Sequence, residues 1–372
     1  MKLNTTLLQP VLPVACLLAF SVTGVADTIF RTDGPPIEDC KVRTEDSKVV
    51  KYRDDGGDKQ EIDSDKVVRI EYERLPKLLD RARTALTDED FIGAITEIED
   101  YLDATSEKGD SKSPWAPAYA RFWLIELQSS IGDLESLVKS ADKLIESESD
   151  SLYMPLAYLA KADALTDLGK GADARGALTD LQAKVDEQGL SQRWKLEAEL
   201  SLSLADGKLK GDKLRDKLSS VADEADSYPT VLNRAKLAEA ESFLEEKEFS
   251  AAETILSRTI DSGKADERTM AGAYTGLGDC QFQRAVDLFK EEKKDEAEAL
   301  LLDAVLSYMR VVEVYPGQSR YVAKSMFFAG RAFEQLQDDI SQARAKRMYR
   351  EVARQFPNSG WAKEARDFLK GR

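Results

Sequence analysis

Two hydrophobic periods divide this chain. Between Asp27 and Tyr72 apolar residues alternate with polar ones. Thr28–Arg31 is strand-like, Cys40 and Val42 alternate with charged neighbours, Val50 and Tyr52 do the same, and Val68, Ile70 and Tyr72 close the pattern. Period-2 alternation broken at Asp33-Gly34 and Gly56-Gly57 predicts a meander of about five short strands. From Pro76 onward the period is helical and Ala, Leu, Glu, Lys, Asp and Arg dominate. Pro76, Pro114, Pro117, Pro155 and Pro229 each precede a helical stretch, where a first-turn proline loses no hydrogen bond. Pro316 and Pro357 each come just after one, where a helix must stop.

The helical region repeats itself. Ala82, Ala85, Ala94 and Ile98 are spaced 3, 9 and 4 apart, as are Ala162, Leu165, Ala174 and Leu178, and Ala240, Phe243, Ala252 and Leu256. A second signature, Ala304, Tyr308, Val311 and Pro316, recurs 41 residues on as Ala345, Tyr349, Val352 and Pro357. Two antiparallel helices pack closely only if small side chains sit where they cross, with bulky residues a turn away filling the groove to the next unit. Seven helix pairs are predicted, starting near Pro76, Trp115, Tyr153, Gln192, Val231, Glu267 and Arg320. The fourth matches poorly. The sixth is enlarged, with 26 residues from Gly278 to Ala304. Gly360 to Lys370 reads as a helix capping the stack.

These small and large positions resemble tetratricopeptide repeats, in units somewhat longer than the usual ~34 residues. The last two units, with Arg320-Tyr321-Val322-Ala323, Phe333, Tyr349 and Phe356-Pro357-Asn358-Ser359-Gly360-Trp361-Ala362, resemble repeats of bacterial envelope proteins: the periplasmic cell-division coordinator and the outer-membrane assembly lipoproteins. The resemblance implies a mostly α fold, a right-handed tetratricopeptide-type α-α superhelix. The segment before it resembles a small all-β module of SH3-like or Sm-like type in length and turn placement.

Residues 1–26 have another character. Lys2 is the only charge, Val14 to Val22 are apolar, and Gly24 and Ala26 are small. This pattern predicts a secretory signal cleaved after Ala26 and an exported, periplasmic or secreted chain with no transmembrane segment thereafter. An uncleaved N-terminus, or lipid on Cys16, is the anchored alternative. The domains are then a signal peptide, 1–26, a β module, 27–73, and a repeat array with its cap, 74–372. A module this small is expected to pack on the helices after it. The array, in which each repeat touches only its neighbours, is expected to fold without it.

Composition narrows the chemistry. The chain has 372 residues, no histidine, three cysteines and a formal net charge of −16. Histidine-based catalysis and histidine metal sites are excluded, and the negative charge argues against nucleic acid. The acidic cluster Asp54, Asp55, Asp58, Asp63 and Asp65 lacks the glycine and glutamate of a calcium loop and reads as turn-forming. Gly169-Lys170-Gly171 reads as a turn between helices. Asp279/Asp287 and similar carboxylate pairs read as solvated faces. Cys40 and Cys280 fall in different modules, so a bond between them is not favoured. The stripe Trp115, Tyr119, Phe122 and Trp123 reads as packing between units, with an exposed peptide-binding surface as the alternative. No catalytic, cofactor or metal site is predicted.

What remains is binding. The inner side of a repeat array, lined by first helices, is the usual binding surface. It would carry Arg234, Leu237, Glu241 and Leu244 in the fifth unit, and Lys324, Phe327, Arg331 and Glu334 in the seventh. Residues 343–372 hold nine basic and three acidic residues, either a basic tail on a capping helix or a dock for an acidic partner, an anionic surface or another copy's acidic body, with Arg347, Arg350 and Arg354 on one face. The expected function is a non-enzymatic scaffold for protein or peptide partners, with self-association open. The alternative is an envelope-polymer binder, for glycan or peptidoglycan, using the β module and the groove.

Overall fold

The computed structural model describes residues 26–88, 90–106, 109–206, 208–263, 265–357 and 359–371. The predicted signal and Cys16 lie outside the described residues, apart from Ala26. Five strands come first: β1 (Asp27–Arg31), β2 (Ile37–Glu45), β3 (Val49–Arg53), β4 (Lys59–Asp63) and β5 (Val67–Glu71). They form one antiparallel sheet in the order β4-β3-β2-β1-β5, a meander whose last strand returns to pair with the first. A single 3-10 turn, Ser64–Lys66, makes that return.

One strand differs from the alternation expected of it. Val68, Ile70 and Tyr72 were to share a face, but the β1–β5 register slips between Phe30 and Arg31, pairing Phe30 with Arg69 and Arg31 with Val67. The bulge leaves Val68 unpaired and turned outward, and buries Val67 beside Ile70.

Seven antiparallel helix pairs and a cap complete the chain. They are α1 (Lys77–Thr87) with α2 (Phe91–Thr105), α3 (Ala116–Ile131) with α4 (Leu134–Ser147), α5 (Met154–Asp167) with α6 (Gly171–Gln188), and α7 (Gln192–Ala205) with α8 (Asp212–Glu224). Then come α9 (Pro229–Glu245) with α10 (Phe249–Ser262), α11 (Glu267–Lys290) with α12 (Lys294–Val314), α13 (Ser319–Gln335) with α14 (Asp339–Gln355), and α15 (Gly360–Leu369). The sixth pair is the longest, at 24 and 21 residues, as its sequence spacing requires. Local chemistry sets the ends. Asp90, Asp133, Asp266, Asp338 and Ser359 each accept a hydrogen bond from a backbone N–H of the following first turn. Pro117, Pro155 and Pro229 occupy first-turn positions. Gly169, at φ +74°, makes the turn from α5 to α6 in the left-handed region.

Packing obeys the repeated small residues. A Cβ on Gly278 of α11 would lie 2.6 Å from the Tyr308 ring of α12, and one on Gly330 of α13 would lie 2.7 Å from Tyr349 of α14. Glycine is what lets each tyrosine, the signature residue of its unit, lie across the partner helix. First helices of neighbouring units touch one another from α3 onward, while among the described residues no comparable contact joins two second helices. First helices therefore line the inside of a curved array, and second helices its outside. The curve brings α13 back to α3, where the Ser319 hydroxyl donates to the Ser129 carbonyl at 3.2 Å.

The sheet is built into this array. Ile29, Cys40, Val50, Ile62, Val67, Ile70 and Tyr72 share one continuous core with Ile125 of α3, Leu144 of α4, Ala157 of α5, Leu178 of α6 and Trp194 of α7. Ser47 bonds Asp150 at 3.0 Å, and the Ser191 hydroxyl and Arg193 guanidinium both donate to Asp65. The strands are thus a wall of the array's core, which changes the expectation that the array would fold without them. The aromatic stripe is part of the same junction: Tyr72 stacks on Trp115, Phe122 on Tyr153 at 4.8 Å, and Trp123 is buried.

Candidate functional site

The inner faces of five first helices enclose a groove with a cavity of about 250 Å³. α5 contributes Asp163 and Thr166, α7 Ser201 and Leu204, α9 Arg234, Leu237 and Glu241, α11 Arg268 and Thr269, and α13 Arg320 and Tyr321. One glycine shapes it. A Cβ on Gly272 of α11 would lie 2.5 Å from Leu237 Cδ2 and 3.0 Å from Tyr321 Cζ, so its absence lets these two side chains close on the floor.

The groove is charged, and most of the charge is matched. Arg268 Nη2 lies 2.6 Å from Asp163 Oδ2 and ties α11 to α5 across the curve. Arg234 donates to Glu197, which is buried and also faces Arg193 at 4.0 Å. Lys324 reaches Asp279 at 2.7 Å, and Asp279 also accepts from the Tyr308 hydroxyl at 2.7 Å. Burial disfavours the Asp163 charge, but Arg268 and Arg234 outweigh it and hold that carboxyl below its usual range.

Three groups differ. Among the described residues Arg320, Glu241 and Glu245 make no hydrogen bond or ion pair within the chain. All three remain open to groove water. Enclosure works against the Arg320 charge, yet Asp167, Tyr321 and Glu241 prevail and raise its pKa. Enclosure lifts the Glu241 carboxyl above its ordinary value, against the pull of Arg320, Lys324 and Arg268.

The structure sorts the residues singled out in the sequence. Arg234, Leu237 and Glu241 line the groove, as first-helix spacing implies. Lys324 stands beside it, held by Asp279. Phe327 is 1% exposed and packs on Tyr349, Trp361 and Phe368, so it is core and offers nothing to a partner. Arg331 lies over the Phe368 ring and 3.5 Å from Glu334. Arg347, Arg350 and Arg354 are exposed on α14, a second helix, and so lie outside the curve rather than in the groove. Arg268, Arg320 and Asp163 were missed. Their signal was register: each sits on the inner face of a first helix, but which inner-face residues meet depends on how far the array curves.

Other candidates resolve as structure. Cys40 and Cys280 are free and buried in separate cores, and burial pushes their thiols up to about 11 and about 12. Asp54 accepts from the Asp58 N–H and from Gln60, organising its own turn. No helix among the described residues is long and apolar enough to cross a membrane.

No protein-family model and no curated protein matches the chain. Solved structures do align with it. A tetratricopeptide repeat protein from Parabacteroides merdae covers 79% of this chain and 96% of its own, at 14% identity and a TM-score of 0.43. The apo quorum sensor NprR from B. thuringiensis gives the same coverage and identity with a TM-score of 0.33. The P58(IPK) TPR domain covers 78% and 86%, at 17% identity and 0.26. The architecture rests on the chain's own geometry: paired antiparallel helices, small residues at their crossings, and first helices stacked inside the curve. By that geometry the chain is a helical-repeat protein of tetratricopeptide type, with a small β module built into its side.

Proposed function

We propose that this protein is a non-enzymatic scaffold whose inner groove holds an extended segment of a partner polypeptide. The observation that carries this is the pair Arg320 and Glu241, one guanidinium and one carboxylate without a hydrogen bond among the described residues, in a groove where Arg268 is matched by Asp163 and Arg234 by Glu197. A bound main chain offers carbonyls to Arg320 and N–H groups to Glu241, while Leu204 and Tyr321 accept apolar side chains. Matched pairs such as Arg268–Asp163 hold the walls, so the groove is formed before the partner arrives. The apolar stretch and small residues of 1–26 support an exported protein, acting in the periplasm or outside the cell.

The test is capture from the native extracytoplasmic fraction with wild type and with the double variant Arg320→Glu, Glu241→Arg. A polypeptide retained by wild type and lost from the variant, with helix content unchanged, supports the proposal. A polypeptide held equally by both removes the groove from the function, and a captured glycan replaces a protein partner with a polymer.

A further inference from the structure

Seven large apolar side chains are exposed among the described residues, and four of them stand on two helices of the array's outer side. Leu302, Leu306 and Val314 on α12 are 48%, 69% and 55% exposed, and Ile340 on α14 is 66% exposed. Leu302 and Leu306 are one turn apart, so they share a face. Apolar side chains grouped on a solvent-facing helix mark a surface that another surface covers.

The charges around them are complementary. Asp295, Glu296, Asp303 and Glu313 are exposed on the solvent-facing side of α12 and form no ion pair among the described residues. The cations of that helix are engaged, Lys294 near Glu298 at 3.5 Å and Arg310 near the Tyr274 hydroxyl at 3.4 Å. On α14 the exposed Lys346, Arg347 and Arg350 likewise form no ion pair among the described residues. Ile340 and Arg347 are two turns apart on one face. One outer surface therefore carries an acid-rimmed apolar stripe and, one unit further on, the exposed Ile340, which follows Asp339 and leads into the basic run Arg344, Lys346, Arg347 and Arg350. Within a chain the two cannot satisfy each other, because α13 lies between α12 and α14 and no comparable contact joins them.

We propose that this outer surface binds a second copy of the same chain, α12 of each protomer lying on α14 of the other about a twofold axis. A twofold contact needs one self-complementary patch. Here that patch consists of two stripes of opposite charge with apolar centres. The net charge of −16 repels a second copy at long range, so the contact depends on short-range pairs and forms once salt at about 0.15 M screens the repulsion. The surface lies outside the curve and is independent of the groove, so loss of one reading leaves the other standing.

Sedimentation equilibrium on the purified chain tests this, using two charge-reversed variants. In the first, Arg347→Glu and Arg350→Glu make both stripes acidic. In the second, Asp303→Arg and Glu313→Arg make both basic. Wild type is expected to be dimeric at about 50 µM and each variant alone monomeric, with association weakened at least about tenfold. Mixing the two restores a heterodimer, because an acidic stripe of one variant then meets a basic stripe of the other. That rescue also shows that both variants are folded. A wild type monomeric up to about 200 µM, a dimer that survives in both variants, or a mixture that stays monomeric overturns the proposal.

Discussion

Tyr72 lies flat on Trp115, the ring centroids 3.4 Å apart and the planes 10° from parallel. The residue just after the last strand thereby rests on the residue that precedes the second helix pair. Tyr119 meets both rings edge-on, at 5.4 and 5.7 Å. The junction between the β module and the array is an aromatic core, not a linker.

Removing one ring of this junction should act on the whole N-terminal half. Tyr72→Ala deletes a buried aromatic from a continuous core, for an expected cost of about 3–5 kcal/mol. Chemical denaturation, followed by helix content, measures it. The helical signal of the first units should be lost at lower denaturant. An unchanged helical transition would show that the array stands without the sheet.

The same junction should make stability depend on pH. Burial pushes the Glu45 carboxyl up to about 7, the Tyr72 hydroxyl donates to it, and its Oε1 is buried without a partner. The folded state therefore binds this proton more tightly than the unfolded chain, whose glutamate titrates near 4.3. The stabilisation is complete below the unfolded value and is lost as pH rises from there through about 7, a change on the order of 3–4 kcal/mol. Glu126 of α3 is raised to about 7 as well, so the informative quantity is a difference. Glu45→Gln, neutral at every pH, should lose less stability than wild type between pH 5 and pH 8. Equal losses would remove Glu45 as the cause.

Two glycines of α11 should respond differently to alanine. Gly278→Ala drives a methyl into the Tyr308 ring, which is buried and tied to Asp279 at 2.7 Å. Overpacking of about 1–3 kcal/mol should exceed the ~1 kcal/mol gained in helix propensity, so the unfolding midpoint falls. Gly272→Ala meets the end of Leu237 and the Tyr321 ring on the open groove side. Those side chains can swing into the groove, so stability should change by less than about 1 kcal/mol while partner binding weakens. A midpoint that falls more for Gly272→Ala than for Gly278→Ala would contradict both placements.

Export makes a chemical prediction. Cleavage after Ala26 would start the mature chain at Asp27, the first residue of β1, whose carboxylate accepts the N–H groups of Val42 and Glu73 at 2.9 and 3.0 Å. N-terminal sequencing of protein from its native source should read Asp-Thr-Ile-Phe. A chain that starts at Met1, or at a lipidated Cys16, would place it at a membrane instead.

Seven helix pairs, the cap, the long sixth unit and the five strands were legible in the sequence, because each rests on local rules. Periodicity, first-turn prolines, capping aspartates and small residues at fixed spacing all act within a few turns of chain. The burial of Val67 in place of Val68 was not legible, since a bulge is decided by the partner strand. Nor was the fate of Phe327. Its spacing fits an inner face, but the cap α15 folds back and covers it with Trp361 and Phe368. The groove shows the same division. Sequence placed Arg234 and Glu241 on a first helix, but small rotations from unit to unit add up along the array. Only their sum, the tertiary curve, brings Arg268 to Asp163 and leaves Arg320 and Glu241 unmatched.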